Sequence, residues 1–125
     1  MDYDTFTRTA AQRAGMPEDK VERVERATLR TLADRISGGE AQDLASQLPA
    51  GLKDALNRPQ EDPEAFDVDE FVRRVAERGE VGPDEARTGA AAVLTTVREA
   101  VTAGEFDDVL SQLPQEYREL VGPMS

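Results

Sequence analysis

The sequence predicts an all-α protein, built as two tandem four-helix repeats packed into one pseudo-twofold helical domain. Three observations lead there. The chain repeats itself at a spacing of about 65 residues, the signature of a duplicated supersecondary unit. Asp4-Thr5-Phe6-Thr7-Arg8 returns as Asp69-Glu70-Phe71-Val72-Arg73, and Ser46-Gln47-Leu48-Pro49 returns unchanged as Ser111-Gln112-Leu113-Pro114. Residues 4–56 slide over 69–121 without a gap at roughly 30% identity, the kind of self-similarity that marks a repeat. Second, apolar residues recur at helical spacing, and no period-two run of β-branched residues marks a strand. Third, helix start and stop residues sit at matching places in both copies.

The first helix of each copy follows an N-cap aspartate, Asp2 or Asp67. Glu70 occupies the capping-box position, and Phe66 and Phe71 have the spacing of a hydrophobic staple. Tyr3, Phe6, Ala10 and Ala14 form one face, matched by Val68, Phe71, Val75 and Gly79. Asp4–Arg8 and Asp69–Arg73 are spaced as i,i+4 ion pairs on a solvated face. The second helix opens near Pro17 or Pro83 and runs for about twenty residues, with apolar stripes of helical period. Those stripes are Val21, Val24, Thr28, Leu29, Leu32 and Ile36, then Ala86, Gly89, Val93, Leu94, Val97 and Val101. Gly89 stands where the first copy has Val24, and a close helix crossing would account for it.

Ser37-Gly38-Gly39-Glu40 and Thr102-Ala103-Gly104-Glu105 both read as capping boxes for a third helix. Its inward residues are Ala41, Leu44, Ala45 and Leu48, answered by Phe106, Val109, Leu110 and Leu113. It should stop before Pro49 or Pro114, because the residue before proline avoids helical geometry. Each proline then suits the first position of a fourth helix, carrying Leu52, Ala55 and Leu56 or Tyr117, Leu120 and Val121. The repeats are assigned to residues 1–57 and 66–122, joined by a polar, proline-containing linker at 58–65. Each copy alone is too small for a generous core, so the two are expected to share one.

Glu40-Ala41-Gln42-Asp43-Leu44-Ala45-Ser46-Gln47-Leu48-Pro49 resembles the signature segment of a bacterial and archaeal family, domain of unknown function 2267. There an acidic helix start leads into a Leu-x-x-Gln-Leu-Pro ending. The phenylalanine-centred helix before this segment and the second copy after it also resemble that family, so the resemblance covers essentially the whole chain. A tryptophan associated with the region after the motif is replaced here by Asn57-Arg58-Pro59. The resemblance implies an all-helical fold and assigns no activity or ligand.

Composition narrows function by exclusion. The chain has no cysteine and no histidine, which removes thiolate nucleophiles, imidazole bases and the usual zinc and copper ligands. Ser46 and Ser111 therefore lack a base of the ordinary kind, and Lys53 has an arginine, Arg118, as its counterpart. The acidic runs Glu61-Asp62-Glu64, Asp67-Asp69-Glu70 and Asp107-Asp108 contain oxygen ligands for calcium or magnesium but lack the alternation of an EF-hand loop. No metal or cofactor is expected. Gln47 and Gln112, with Pro49 and Pro114, are the candidate motif residues; the simplest role for each amide is to satisfy backbone groups freed at its own helix end.

With 26 acidic against 15 basic residues, the net charge is −11. That field opposes binding to nucleic acid or to anionic membranes, even at the densest basic stretch, Arg73, Arg74, Arg78 and Arg87. A halophilic cytosol and a GC-rich genome account equally well for the acidity. The acidic N-terminus has no apolar run of a signal peptide, and no stretch has the length of a membrane span. A soluble cytoplasmic protein is expected. The leading functional expectation is a non-enzymatic module acting through protein–protein contact or self-association. The alternative is a small-molecule or ion-binding domain using the groove between the repeats, and a carboxylate-based hydrolase is a weaker third.

Overall fold

The computed structural model describes residues 1–57 and 62–121; residues 58–61, which open the expected linker, and 122–125 lie outside the described residues. Every regular element within them is helical: α1 (Tyr3–Ala14), α2 (Glu18–Arg35), α3 (Gly38–Gln47), a 3-10 helix (Ala50–Leu56), α4 (Val68–Gly79), α5 (Pro83–Ala100), α6 (Ala103–Ser111) and α7 (Glu116–Val121). α4 starts and stops 65 residues after α1, and α5 does the same after α2.

Local chemistry sets the helix starts. Asp2 and Asp67 accept the backbone amides of Thr5 and Glu70 at 2.8 and 2.9 Å, and Ser37 and Thr102 accept those of Glu40 and Glu105. Each bond satisfies an amide that the helix itself leaves unpaired. The capping boxes expected at Glu40, Glu70 and Glu105 are half made. The Glu70 side chain turns to Arg73 and Arg74, and the N-cap amides of Ser37 and Thr102 are taken by other residues.

α1 ends on Gly15 and α4 on Glu80, both with positive φ. Leu48 is extended ahead of Pro49, so α3 stops where expected. α6 stops earlier. Gln112 and Leu113 donate to carbonyls only three residues back, which tightens the last turn and leaves Leu113 half-buried instead of inward. The prolines do not take the first helical position. Pro49 is the N-cap of a 3-10 helix, and Pro114 precedes α7; the carbonyl of each accepts the amide three residues on.

The expected Asp69–Arg73 pair is also replaced. Arg73 pairs with Glu70 and Glu77, while Asp69 meets Arg87. Arg74 bridges Asp34, Glu64 and Glu70, with its guanidinium 4.0 Å from the centre of the Phe66 ring. Together with the 2.8 Å bond from the Glu64 amide to the Asp34 carbonyl, these contacts fasten the segment before α4 to the end of α2.

Apolar side chains from all eight helices join in one buried cluster, whose largest fully buried members include Tyr117, Phe6, Phe71, Leu29, Leu32 and Ile36. The packing is crossed. α1 lies on α5, α4 lies on α2, α2 and α5 lie on each other, and α3 touches α6. At Gly89 α5 lies close against α2: a Cβ there would sit 2.6 Å from a Val24 methyl. Tyr117 meets Phe71 edge-on at 5.6 Å and donates its hydroxyl to the Phe66 carbonyl at 2.8 Å. Burial pushes that phenol up to about 12.

The two Ser-Gln-Leu-Pro leucines should behave differently. Leu48→Ala, at a site 4% exposed, should cost about 2–5 kcal/mol in urea unfolding, the usual range for a buried leucine. Leu113→Ala should cost well under half of that; equal costs would contradict the placement of Leu113.

Candidate functional site

The candidate motif residues meet at the seam between α3 and α6. Gln47, at the end of α3, accepts the amide of Thr102, the N-cap of α6, at 2.8 Å. Gln112, just past α6, accepts the amide of Ser37, the N-cap of α3, at 2.7 Å, and its amide nitrogen lies 3.3 Å from the Ser37 hydroxyl. The glutamines therefore satisfy backbone groups, but across the molecule instead of at their own helix ends. Pro49 is buried and Pro114 exposed. Ser46 and Ser111 each donate to a carbonyl three residues back.

Because these glutamines take the N-cap amides, Glu40 and Glu105 are released from capping and turn toward each other. Carboxylate oxygens of Glu40, Asp43 and Glu105 all lie within 4.8 Å of one another. Burial, then the neighbouring Glu40, pushes the Glu105 carboxyl well above the usual range. The acidic runs singled out in the sequence do not form this group. Glu40 and Glu105 were hidden in it by their capping-box spacing, and only their 65-residue separation hints at a meeting.

A groove of about 660 Å³ runs beside α5, lined by Val68 and Asp69 of α4, Arg87, Thr88, Ala91 and Thr95 of α5, Glu116, Glu119 and Leu120 of α7, and Arg13 of α1. Its floor is apolar and its rim carries both signs of charge. Arg13 is held by Glu99 and Thr96, Arg87 by Asp69, and Glu116 accepts the amide of Val68 at 3.0 Å. The matching region of the first half is filled. The Tyr3 ring lies over Gly51, where a Cβ would sit 2.6 Å from it, and Arg26 reaches the Gly51 carbonyl and the Asp54 carboxylate. Val68 and Ala91 stand 65 residues after Tyr3 and Arg26, and their small side chains leave the groove open.

The sequence also gave no warning of Glu25, which is fully buried in α2. One carboxylate oxygen accepts from the Thr7 hydroxyl at 3.2 Å; the other has no partner among the described residues. Desolvation pushes its carboxyl up to about 7. The arginine patch is neutralised from within: Arg73, Arg74, Arg78 and Arg87 pair with Glu70, Glu77, Asp34, Glu64 and Asp69. Those bonds, first with Arg73, hold the Glu70 carboxyl down at about 2. Among the described residues no helix is long and apolar enough to cross a membrane.

A family model described as Uncharacterized conserved protein (DUF2267) matches residues 3–120. The chain belongs to that family. The match runs from the start of α1 to Leu120 in α7 and includes both Gln-Leu-Pro segments and the seam between them. No curated protein matches the sequence.

Glu25 yields a pH test. Its folded-state value of about 7 exceeds the ordinary 4.5, so between these the folded chain holds a proton that the unfolded chain has lost. Stability from this group is therefore fully present below pH 4.5 and is lost as pH rises through 7. In urea unfolding from pH 4.5 to 8, the stability difference between wild type and Glu25→Gln should shift on the order of 2 kcal/mol in favour of the variant. A difference constant with pH would contradict the assignment.

Proposed function

We propose that this chain is a non-enzymatic binding module, two copies of one four-helix unit about a pseudo-twofold axis, whose groove beside α5 takes a small zwitterionic metabolite. The observation that carries the ligand reading is the contrast between the halves. Tyr3 and Arg26 occupy the groove of the first half, whereas Val68 and Ala91 vacate that of the second. The volume of about 660 Å³ falls within the range of small-molecule sites. Asp69, Glu116 and Glu119 face Arg13 and Arg87 around an apolar floor. A ligand carrying both an ammonium and a carboxylate satisfies such a rim, while a purely anionic one meets the repulsion of a chain with net charge −11.

The pseudo-twofold reading is supported by helix boundaries that recur 65 residues apart, by the crossed packing and by the reciprocal glutamine bonds. The non-enzymatic reading rests on the lack of histidine and cysteine. Nucleic acid is disfavoured by the internal pairing of the arginine patch. Protein contact or self-association is less well supported, because Met1 is the one large apolar side chain exposed among the described residues.

A thermal-shift panel of amino acids, betaines, amines and dicarboxylates tests this directly. A zwitterionic member should raise the melting temperature saturably by mass action. Ala91→Arg, which installs the residue type found at position 26, should abolish that shift while keeping the helical circular dichroism. A panel with no saturable shift, or a shift that survives Ala91→Arg, would overturn the reading.

A further inference from the structure

Among the described residues, Lys20 meets Glu85, Val24 meets Gly89 and Glu40 meets Glu105, each facing the residue 65 places further on. The first two contacts are complementary. Lys20 and Glu85 form an ion pair at 2.6 Å, and the Val24 methyl lies where a Gly89 side chain would otherwise be. The third sets one carboxylate against another, with Asp43 as a third acid beside them. Glu105 is only 9% exposed, and its Oε2 is shut off from solvent with no hydrogen-bond partner among the described residues. Oε2 of Glu40 is in the same condition. Two carboxyl groups set together with buried, unpartnered oxygens are costly unless a proton or a cation lies between them.

We infer that Glu40, Asp43 and Glu105 form a divalent-cation site at the seam of α3 and α6, an all-oxygen set of the kind calcium takes. The reason is geometric. Two oxygens bound to one calcium ion at about 2.3–2.6 Å can stand at most about 4.6–5.2 Å apart, so carboxylate oxygens within 4.8 Å of one another are close enough to share an ion. Magnesium should bind more weakly, because it demands near-ideal octahedral geometry and dehydrates reluctantly, whereas calcium takes carboxylates in flexible geometry. Glu40 and Glu105 contribute from opposite helices at the seam. Asp43, exposed one turn after Glu40, leaves the ion open to water for its remaining ligands. The glutamine bonds give the site its shape: by capping Ser37 and Thr102 from the other side, they free both glutamates to meet. This site is separate from the groove beside α5, and neither proposal rests on the other.

The test is calorimetric titration of the chelator-stripped full-length chain with calcium and, separately, magnesium, at fixed ionic strength near neutral pH. Wild type should bind one calcium ion per chain saturably, and magnesium more weakly. Glu40→Gln and Glu105→Gln should each weaken calcium about tenfold or more. Both should still fold, since each removes a buried repulsion. Asp107→Asn makes the same charge change on the exposed side of α6 and should leave affinity within about twofold. Absence of a saturable calcium isotherm in wild type would overturn the site, as would equal weakening by Asp107→Asn, which would mean diffuse counterion binding. If calcium does not bind and Glu105→Gln instead stabilises the chain at neutral pH, the seam holds a shared proton, and the metal proposal fails.

Discussion

Crossed helix packing is the constraint on which the rest of this molecule depends. α1 packs on α5 more than on α2, and α4 on α2 more than on α5, so each of these helices buries much of its apolar face against the other half of the chain. A unit of four short helices buries too little surface to stand easily alone. Crossing merges the two into one cluster that reaches from Phe6 to Tyr117. It also brings α2 and α5 so close that a Cβ at Gly89 would crowd a Val24 methyl, and it draws α3 against α6.

That arrangement makes certain residues face the position 65 places away, with consequences for their chemistry. A charge at such a position meets whatever the second half carries there. At Lys20 and Glu85 the facing residues differ and attract. At Glu40 and Glu105 they are identical and repel, which raises the affinity of the pair for a proton or a cation. Away from the seam the halves differ in another way: Tyr3 packs on Gly51 and Arg26 bonds its carbonyl, whereas Val68 and Ala91 line an open groove. One architecture thereby supplies two unlike candidate sites.

Much of the helical framework was legible because its signals are local. Asp2, Ser37, Asp67 and Thr102 cap the helices they precede, and Pro49 stops α3, through contacts within a few residues. Features decided by neighbours far along the chain were not legible. Gln47 and Gln112 were placed at their own helix ends, and nothing adjacent to them indicates partners at Thr102 and Ser37. Glu40 and Glu105 fitted a capping box so well that their meeting was hidden. Arg73 had an acid four residues before it, yet Glu70 and Glu77 lie closer once the helix forms. The fourth helices were expected to be alike, but the first is a 3-10 helix around Gly51, whose missing side chain admits the Tyr3 ring.

Native-state hydrogen exchange tests the crossed-packing account most directly, because it reads the opening free energy of each helix separately. If neither half closes its own core, the slowest amides of α2 and α5 should exchange with one common free energy, equal to that of global unfolding, and should respond alike to denaturant. Residues of α2 exchanging through a lower-energy opening while α5 remains protected, or the reverse, would show that one half unfolds without the other and would contradict the account.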